Sequence, residues 1–429
     1  MKRQKIHFQI QYVILLLITF ALPLGRKIIP PLLLLLSLNW VIEIVTDGLC
    51  FCIFYKKKRK NYPYKWTMAK KNKMIFPLFL FVGLFALYAI GLLYTTNLAA
   101  GKIDITLKLP LLAMPLILFT SDIKLWKSNH IKILFNTYIL GCLFGIAYNT
   151  YHSYINYLEH DVINYFFYTL ASFLHHPSYA SMFYTFAIMV MIYFLLNKKT
   201  IIIEKIFYFL CIPIFIIEIG LLSSKTSFVA LFILLITIIL YIIFNKKIKK
   251  IKKINLLYIL LFCIIGSGIY SMLPDKFNRF SQQIKKFEYI DNIQKDVRYV
   301  IWTNAIEVAK ENALIGVGTG DVKDALKWKY AENLHFDYYI RAYNAHNQYL
   351  QISIALGIVG LLLFVAGQLY AIYLSFRKKY FLYFIFVLLI FINFLTEAML
   401  ERQSGVSFFA VFNALLCFFA FVETKQEEL

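Results

Sequence analysis

The sequence predicts an all-α polytopic membrane protein with about 12 transmembrane helices and one helical periplasmic cap loop. Three observations carry that class. The 429-residue chain is 60% hydrophobic and only 16% charged, and its mean hydropathy of +0.67 is beyond what a soluble fold of this size needs. Apolar stretches of roughly 17 to 25 residues recur, each long enough to cross about 30 Å of hydrocarbon as helix. These stretches are continuous rather than alternating, which selects helices over barrel strands, the other architecture that satisfies its backbone in lipid.

The spans are expected at 8–24, 29–53, 74–95, 106–120, 131–149, 178–196, 201–221, 226–244, 254–272, 346–375, 380–398 and 404–422. The fourth is short for a full crossing. The first is not a cleavable signal peptide, because "ALPLGRKIIPP" offers no small-residue cleavage site and a second span follows at once. Three regions result: 1–272 with nine spans, a periplasmic loop at 273–345, and 346–429 with three spans and a cytoplasmic tail.

Net charge is +22, and its placement argues for topology rather than nucleic acid. With the N-terminus in the cytoplasm, the inner segments, among them "KKKRKNYPYKWTMAKKNK" and "NKKIKKIKK", hold 28 of the 45 Lys and Arg. The short outer segments hold six, and the remaining 11 lie in the long loop, which counts little in the positive-inside rule. Both termini are therefore expected in the cytoplasm of a bacterial inner membrane, the basic loops against anionic lipid heads, and the long loop in the periplasm. The six cysteines fall within or beside apolar spans, so neither a disulfide framework nor a thiolate metal site is expected.

The long loop reads as a folded cap. "VRYVIWTNAIEVAKENA" spaces Val300, Ile301, Ala305, Val308 and Ala309 as one helical face. "IGVGTGD" breaks that helix, and Asp321 is placed to cap a second one with a Val322, Ala325, Leu326, Tyr330 stripe. A shorter outer segment, 150–177, is aromatic and suits the headgroup layer.

Several chemistries are missing. "GVGTG" lacks the Gly-Lys-Ser/Thr of a phosphate-cradling loop. There is no Asp-x-Asp pair, and "HHP" at 175–177 has no further ligands at metal spacing, so no metal and no cofactor are expected. What the outer side offers is one histidine, His346, followed by Asn347 where the polar loop enters a span. Around it are outward-facing cations: Lys225 in the tight turn "GLLSSKTSF", Arg298 at the start of the cap, and Arg341 five residues before His346. Intramembrane charges tend to mark sites. Glu218, seven residues before Lys225, would share its helical face. Glu397 and Glu401 form an i, i+4 pair at the outer end of the eleventh span, and Glu401 is read as the acid that could support His346 or Arg298.

One imidazole and several cations suit a substrate that arrives already activated, since no energy carrier is available outside the inner membrane. A glycan on a polyprenyl diphosphate fits: the tail needs membrane, the diphosphate needs Arg or Lys, and a neutral histidine can take the acceptor hydroxyl's proton. These stretches resemble the O-antigen ligase family, within the O-antigen ligase/polymerase superfamily. The likeness rests on His346-Asn347, nine residues, Gly357, two residues, Gly360; on "RYVIWTNAIEVAKENALIGVGTGD"; on "LYTTNLAAGKIDITLKLPLLAMP"; and on "TEAMLERQSGVSFF". The resemblance implies a GT-C-like membrane fold and a catalytic His346, with Arg298 holding the donor diphosphate. Lys225 stands where the family usually has arginine in a Ser-Arg turn, which keeps the charge and loses the bidentate fork. It further implies undecaprenyl-diphosphate glycan as donor and lipid A–core as acceptor, in lipopolysaccharide biosynthesis. Two readings stay open beside ligase: a polysaccharide polymerase extending lipid-linked repeats, and a protein O-glycosyltransferase.

Overall fold

The computed structural model describes residues 2–54, 73–197, 200–244 and 297–427, and all regular structure in them is helical. The expected ninth span, 254–272, and the first part of the long loop, 273–296, lie outside the described residues. Among the described residues, seven helices are long and apolar enough to cross a membrane, and Ile75–Gly91 and Phe381–Phe394 are shorter apolar helices. That is a polytopic membrane protein. Cys142, Cys211 and Cys417 are free and buried.

Two compact units divide the chain. The first comprises Met1–Thr137, Val297–Val387 and Phe394–Leu429, and the second Tyr138–Asp296 and Leu388–Asn393. In the first, α1 (Lys2–Ala21) packs on α2 (Ile29–Phe54), and α3 (Ile75–Gly91) packs on α4 (Leu98–Phe119). Helix α4 is longer than the span expected at 106–120. It begins at Leu98 because Asn97 caps it, accepting from the Ala100 N–H at 3.1 Å. Its first half, with Asp104 and Lys108, is too polar to be found by hydropathy.

Helix α5 (Ser128–His160) runs across the division at Thr137. The second unit continues with α6 (Pro177–Leu196), α7 (Ile202–Leu222) and α8 (Lys225–Phe244). Helix α6 is apolar all round and buried along most of its length, with α7 and α8 against it.

The described part of the cap, in the first unit, holds α9 (Val297–Glu311), α10 (Val322–Glu332) and the short α11 (Phe336–Arg341). Val300, Ile301, Ala305 and Val308 bury one face of α9, and Val322, Leu326 and Tyr330 one face of α10, as their spacing requires. Helices α12 (Gln348–Arg377), α13 (Phe381–Phe394) and α14 (Gln403–Glu427) complete the chain. Helix α14 passes through the core of its unit, packed against α4.

The glycine-rich loop after α9 has a structural role. Helix α12 breaks at Gly357, whose φ of 62° and ψ of −159° leave helical geometry. The break frees backbone groups, and the loop takes them up. Val317 N–H donates to the Ile354 carbonyl at 2.8 Å, Gly318 N–H to Ala355 at 3.1 Å, and Ile358 N–H to Ala313 at 2.8 Å. A side chain on Gly357 would meet the Leu314 carbonyl, and one on Gly316 (φ 74°) the Ala355 backbone. Two glycines are therefore required because backbone meets backbone.

Candidate active site

His346 sits just ahead of α12, outside the helix, in the left-handed region with φ 41°. That conformation is uncommon for a residue with a side chain, so its neighbours must hold it. His346 N–H donates to Asn344 Oδ1 at 3.1 Å, and Ala345 N–H donates to Gln351 Oε1 at 3.2 Å. Asn347 caps α12, accepting from the Tyr349 and Leu350 N–H groups, and its own amide donates to the Leu395 carbonyl at 3.1 Å. His346 and the two glycines of its motif do not share one uninterrupted helical face. The histidine precedes the helix, and the helix breaks at Gly357.

The imidazole Nδ1 lies 3.0 Å from Glu397 Oε2, while the other oxygen of that carboxylate is 3.7 Å from the Arg298 guanidinium. Nε2 forms no hydrogen bond among the described residues. A carboxylate accepting from Nδ1–H leaves the lone pair on Nε2, the tautomer a general base needs, and stabilises the imidazolium formed later. Tyr343 meets the His346 ring edge-on at 5.8 Å between centroids, and its hydroxyl accepts from Arg341 at 3.1 Å. That hydrogen bond raises the already high pKa of the Arg341 guanidinium. Arg298 and Arg341 thus flank His346 from α9 and α11, the first through Glu397 and the second through Tyr343.

The i, i+4 pair read from the sequence separates, and Glu397, not Glu401, is the acid beside His346. Helix α13 ends at Phe394, so Glu397 and Glu401 leave on different sides of an irregular turn. Glu397 takes His346 and Arg298, whereas Glu401 meets the Lys108 ammonium at 3.3 Å. Burial pushes the Glu401 carboxyl above the usual carboxylate range, against the pull of Lys108 in the other direction. Lys108 was missed altogether. Its signal was a lysine in an apolar stretch with Asp104 one helical turn before it.

Lys225 and Glu218 belong to the second unit. Lys225 is the half-buried first residue of α8. The Ser224 and Ser227 hydroxyls lie 3.2 Å apart, and Ser227 donates to Ser181 of α6 at 2.7 Å, which fixes the start of α8. Glu218 is buried in α7. The shared helical face expected for the two is interrupted, because Ser223 adopts left-handed backbone (φ 49°) and ends α7 before Lys225 begins α8.

Asp321 stands at the N-terminus of α10 but does not cap it with its side chain. Its oxygens instead accept from Thr96 N–H and Asn97 N–H, each at 2.7 Å, and from the Thr96 hydroxyl at 3.0 Å. Burial alone would raise this carboxyl, but those donors outweigh it and hold it below the usual range. Lys329, raised by its bonds to Glu311 and Glu332, ties the end of α9 to α10.

Residues 211–365 match the family model described as O-antigen ligase. The match spans about a third of the chain, from within α7 to the middle of α12. It bears out the resemblance read from the motifs and supports membership of the O-antigen ligase family, membrane enzymes of the ligase/polymerase glycosyltransferase type. Lys225, Arg298, Arg341 and His346 lie inside the matched segment; Glu397, Glu401 and Lys108 lie beyond it. No curated protein sequence matches the chain.

Proposed function

We propose that this chain is an inverting, metal-independent O-antigen ligase of the bacterial inner membrane, moving glycan from undecaprenyl diphosphate to lipid A–core on the periplasmic side. The observation that carries this reading is Glu397 placed between His346 Nδ1 and Arg298. It prepares an imidazole to accept a proton at Nε2 and sets a cation beside it.

In the reaction, an acceptor sugar hydroxyl gives its proton to His346 Nε2 as its oxygen attacks the anomeric carbon. The bond from that carbon to the diphosphate oxygen breaks, and the leaving undecaprenyl diphosphate keeps the electron pair. Arg298 and Arg341 take up the developing negative charge, as does Lys225 by the resemblance. The macrodipole opposes an ammonium at the first residue of a helix, so Lys225 at the start of α8 suits an anion-holding role. A single displacement inverts configuration at the anomeric carbon.

Reconstitution tests the proposal. Purified protein in lipid receives undecaprenyl-diphosphate glycan with and without lipid A–core, in EDTA, beside a His346→Ala control. Glycan on lipid A–core with wild type, and loss of about 10²- to 10⁴-fold in His346→Ala with donor binding retained, is the expected result. Longer chains on the polyprenyl carrier without the core acceptor would make the enzyme a polymerase. Equal activity in His346→Ala would take the histidine out of the reaction and overturn the proposal.

A further inference from the structure

Lys108 is fully buried, at 0% side-chain exposure, in the polar half of α4. Its ammonium is 2.5 Å from Asp104 one turn earlier and 3.3 Å from Glu401, and lies 4.5 Å over the Tyr88 ring of α3. A lysine placed only to fill space would be replaceable by a leucine or methionine without the cost of burying three charges. Buried ionic clusters are retained where they fix one arrangement among several packings of similar stability, and the arrangement fixed here is recognisable.

Glu401 ends the turn that carries Glu397. Residues 395–398 of that turn lie outside regular helix, and side-chain tethers help set its position. Three of the tethers lead to the start of α12: Asn347 to the Leu395 carbonyl at 3.1 Å, His346 to Glu397 at 3.0 Å, and Leu400 N–H to Gln348 Oε1 at 2.7 Å. A fourth, from Glu397 to Arg298, leads to α9, and a fifth, from Glu401 to Lys108, fastens the turn to α4. Gln348 is fully buried, as are Met399 and Leu400. With Lys108 removed, Asp104 and Glu401 would be left as two carboxylates with no cation between them. Glu401 would move away, and the irregular turn would carry Glu397 with it.

We infer that Lys108 is a positioning residue for the His346–Glu397 pair, acting through Glu401 and the 395–401 turn without touching the reacting groups. The inference rests on the function proposed above.

The test uses the full chain in lipid, with rates normalised to folded protein. Lys108→Met is expected to lower kcat about ten- to a hundredfold, since a displacement of about 1 Å at a catalytic group costs that much. KM for the donor stays within about twofold. Lys108→Arg, which keeps the charge, recovers most of the rate. The decisive arm is a Glu397→Gln background, in which Lys108→Met should add almost nothing, because two changes on one line of action do not multiply. A kcat for Lys108→Met within about twofold of wild type, or a loss that multiplies with that of Glu397→Gln, overturns the inference. Should Lys108→Met not fold, Glu401→Gln serves in the same two arms. Wild-type protein without transfer, or His346→Ala as active as wild type, brings down the function proposal and this inference together. Active wild type, inactive His346→Ala and an unaffected Lys108→Met overturn the inference alone.

Discussion

Two cations, Arg298 and Lys108, are tied to acids four residues apart on one turn, and they are held in opposite ways. Lys108 has no solvent exposure and sits between two carboxylates at 2.5 and 3.3 Å. The Arg298 side chain is 42% exposed, and its ion pair with Glu397 is 3.7 Å long. Exposed pairs of that kind contribute little to stability, and their guanidinium can turn to another anion at small cost. The deeply buried cation is enclosed by its carboxylates, whereas the part-exposed one is the cation proposed to meet the donor. Charge in an apolar chain is therefore a poor guide to function until its partners are known.

The largest effect expected from breaking the comparison lies at the acid shared by His346 and Arg298. Glu397→Gln keeps the size of the side chain and can still accept from Nδ1–H, but it removes the charge that stabilises the imidazolium. The expected outcome is a fall in kcat of about a hundredfold, with donor binding retained. Glu397→Asp, shorter by one methylene, should lose less. Single-turnover transfer from undecaprenyl-diphosphate glycan measures both, and a Glu397→Gln rate within about threefold of wild type would remove Glu397 from the reaction.

Arg298 should give a smaller and different loss. Arg298→Ala deletes the cation proposed to hold the donor diphosphate and leaves the Glu397–His346 hydrogen bond in place. KM for the donor is expected to rise about tenfold, in keeping with one charge-assisted contact at a partly exposed site. Arg298→Lys should recover part of that, since the charge returns without the bidentate fork. An unchanged KM for the donor would show that Arg298 does not hold the bound diphosphate, and the contrast with Lys108 would collapse.

Sequence reading found most of what hydropathy and local spacing control. The buried faces of α9 and α10 and the break between them follow from residues close in the chain. It failed where the deciding contact crosses the fold. Helical spacing treats Glu397 and Glu401 as equivalent, and the end of α13 at Phe394 destroys that equivalence. Lys108 was passed over because its second carboxylate is 293 positions away. The partner of the glycine loop, the break at Gly357 in α12, cannot be read from a motif whose spacing suits an uninterrupted helix. The shared face of Glu218 and Lys225 failed similarly, at a left-handed serine that carries no sequence signal of its own.

Asp321 sharpens the contrast from the acid side, as a second buried charge committed to architecture. Each of its oxygens accepts a backbone N–H, from Thr96 and from Asn97, so the carboxylate joins the start of α10 to the residues that cap α4. Asp321→Asn would turn an NH₂ toward one of those donors and is expected to destabilise the fold by about 1–3 kcal/mol at neutral pH. Transfer per folded molecule should be unchanged, unlike the loss at Glu397. The sign with pH follows from the lowered carboxyl. A group bound less tightly to its proton in the folded state stabilises that state in full above its unfolded pKa of about 3.9, and the contribution disappears as pH falls through the lower folded value. Thermal unfolding of wild type and Asp321→Asn in detergent should therefore differ at pH 7 and converge in acid. Equal melting at pH 7 would mean that this carboxylate holds nothing together, and that deep burial of a charge in this chain is no sign of a structural role.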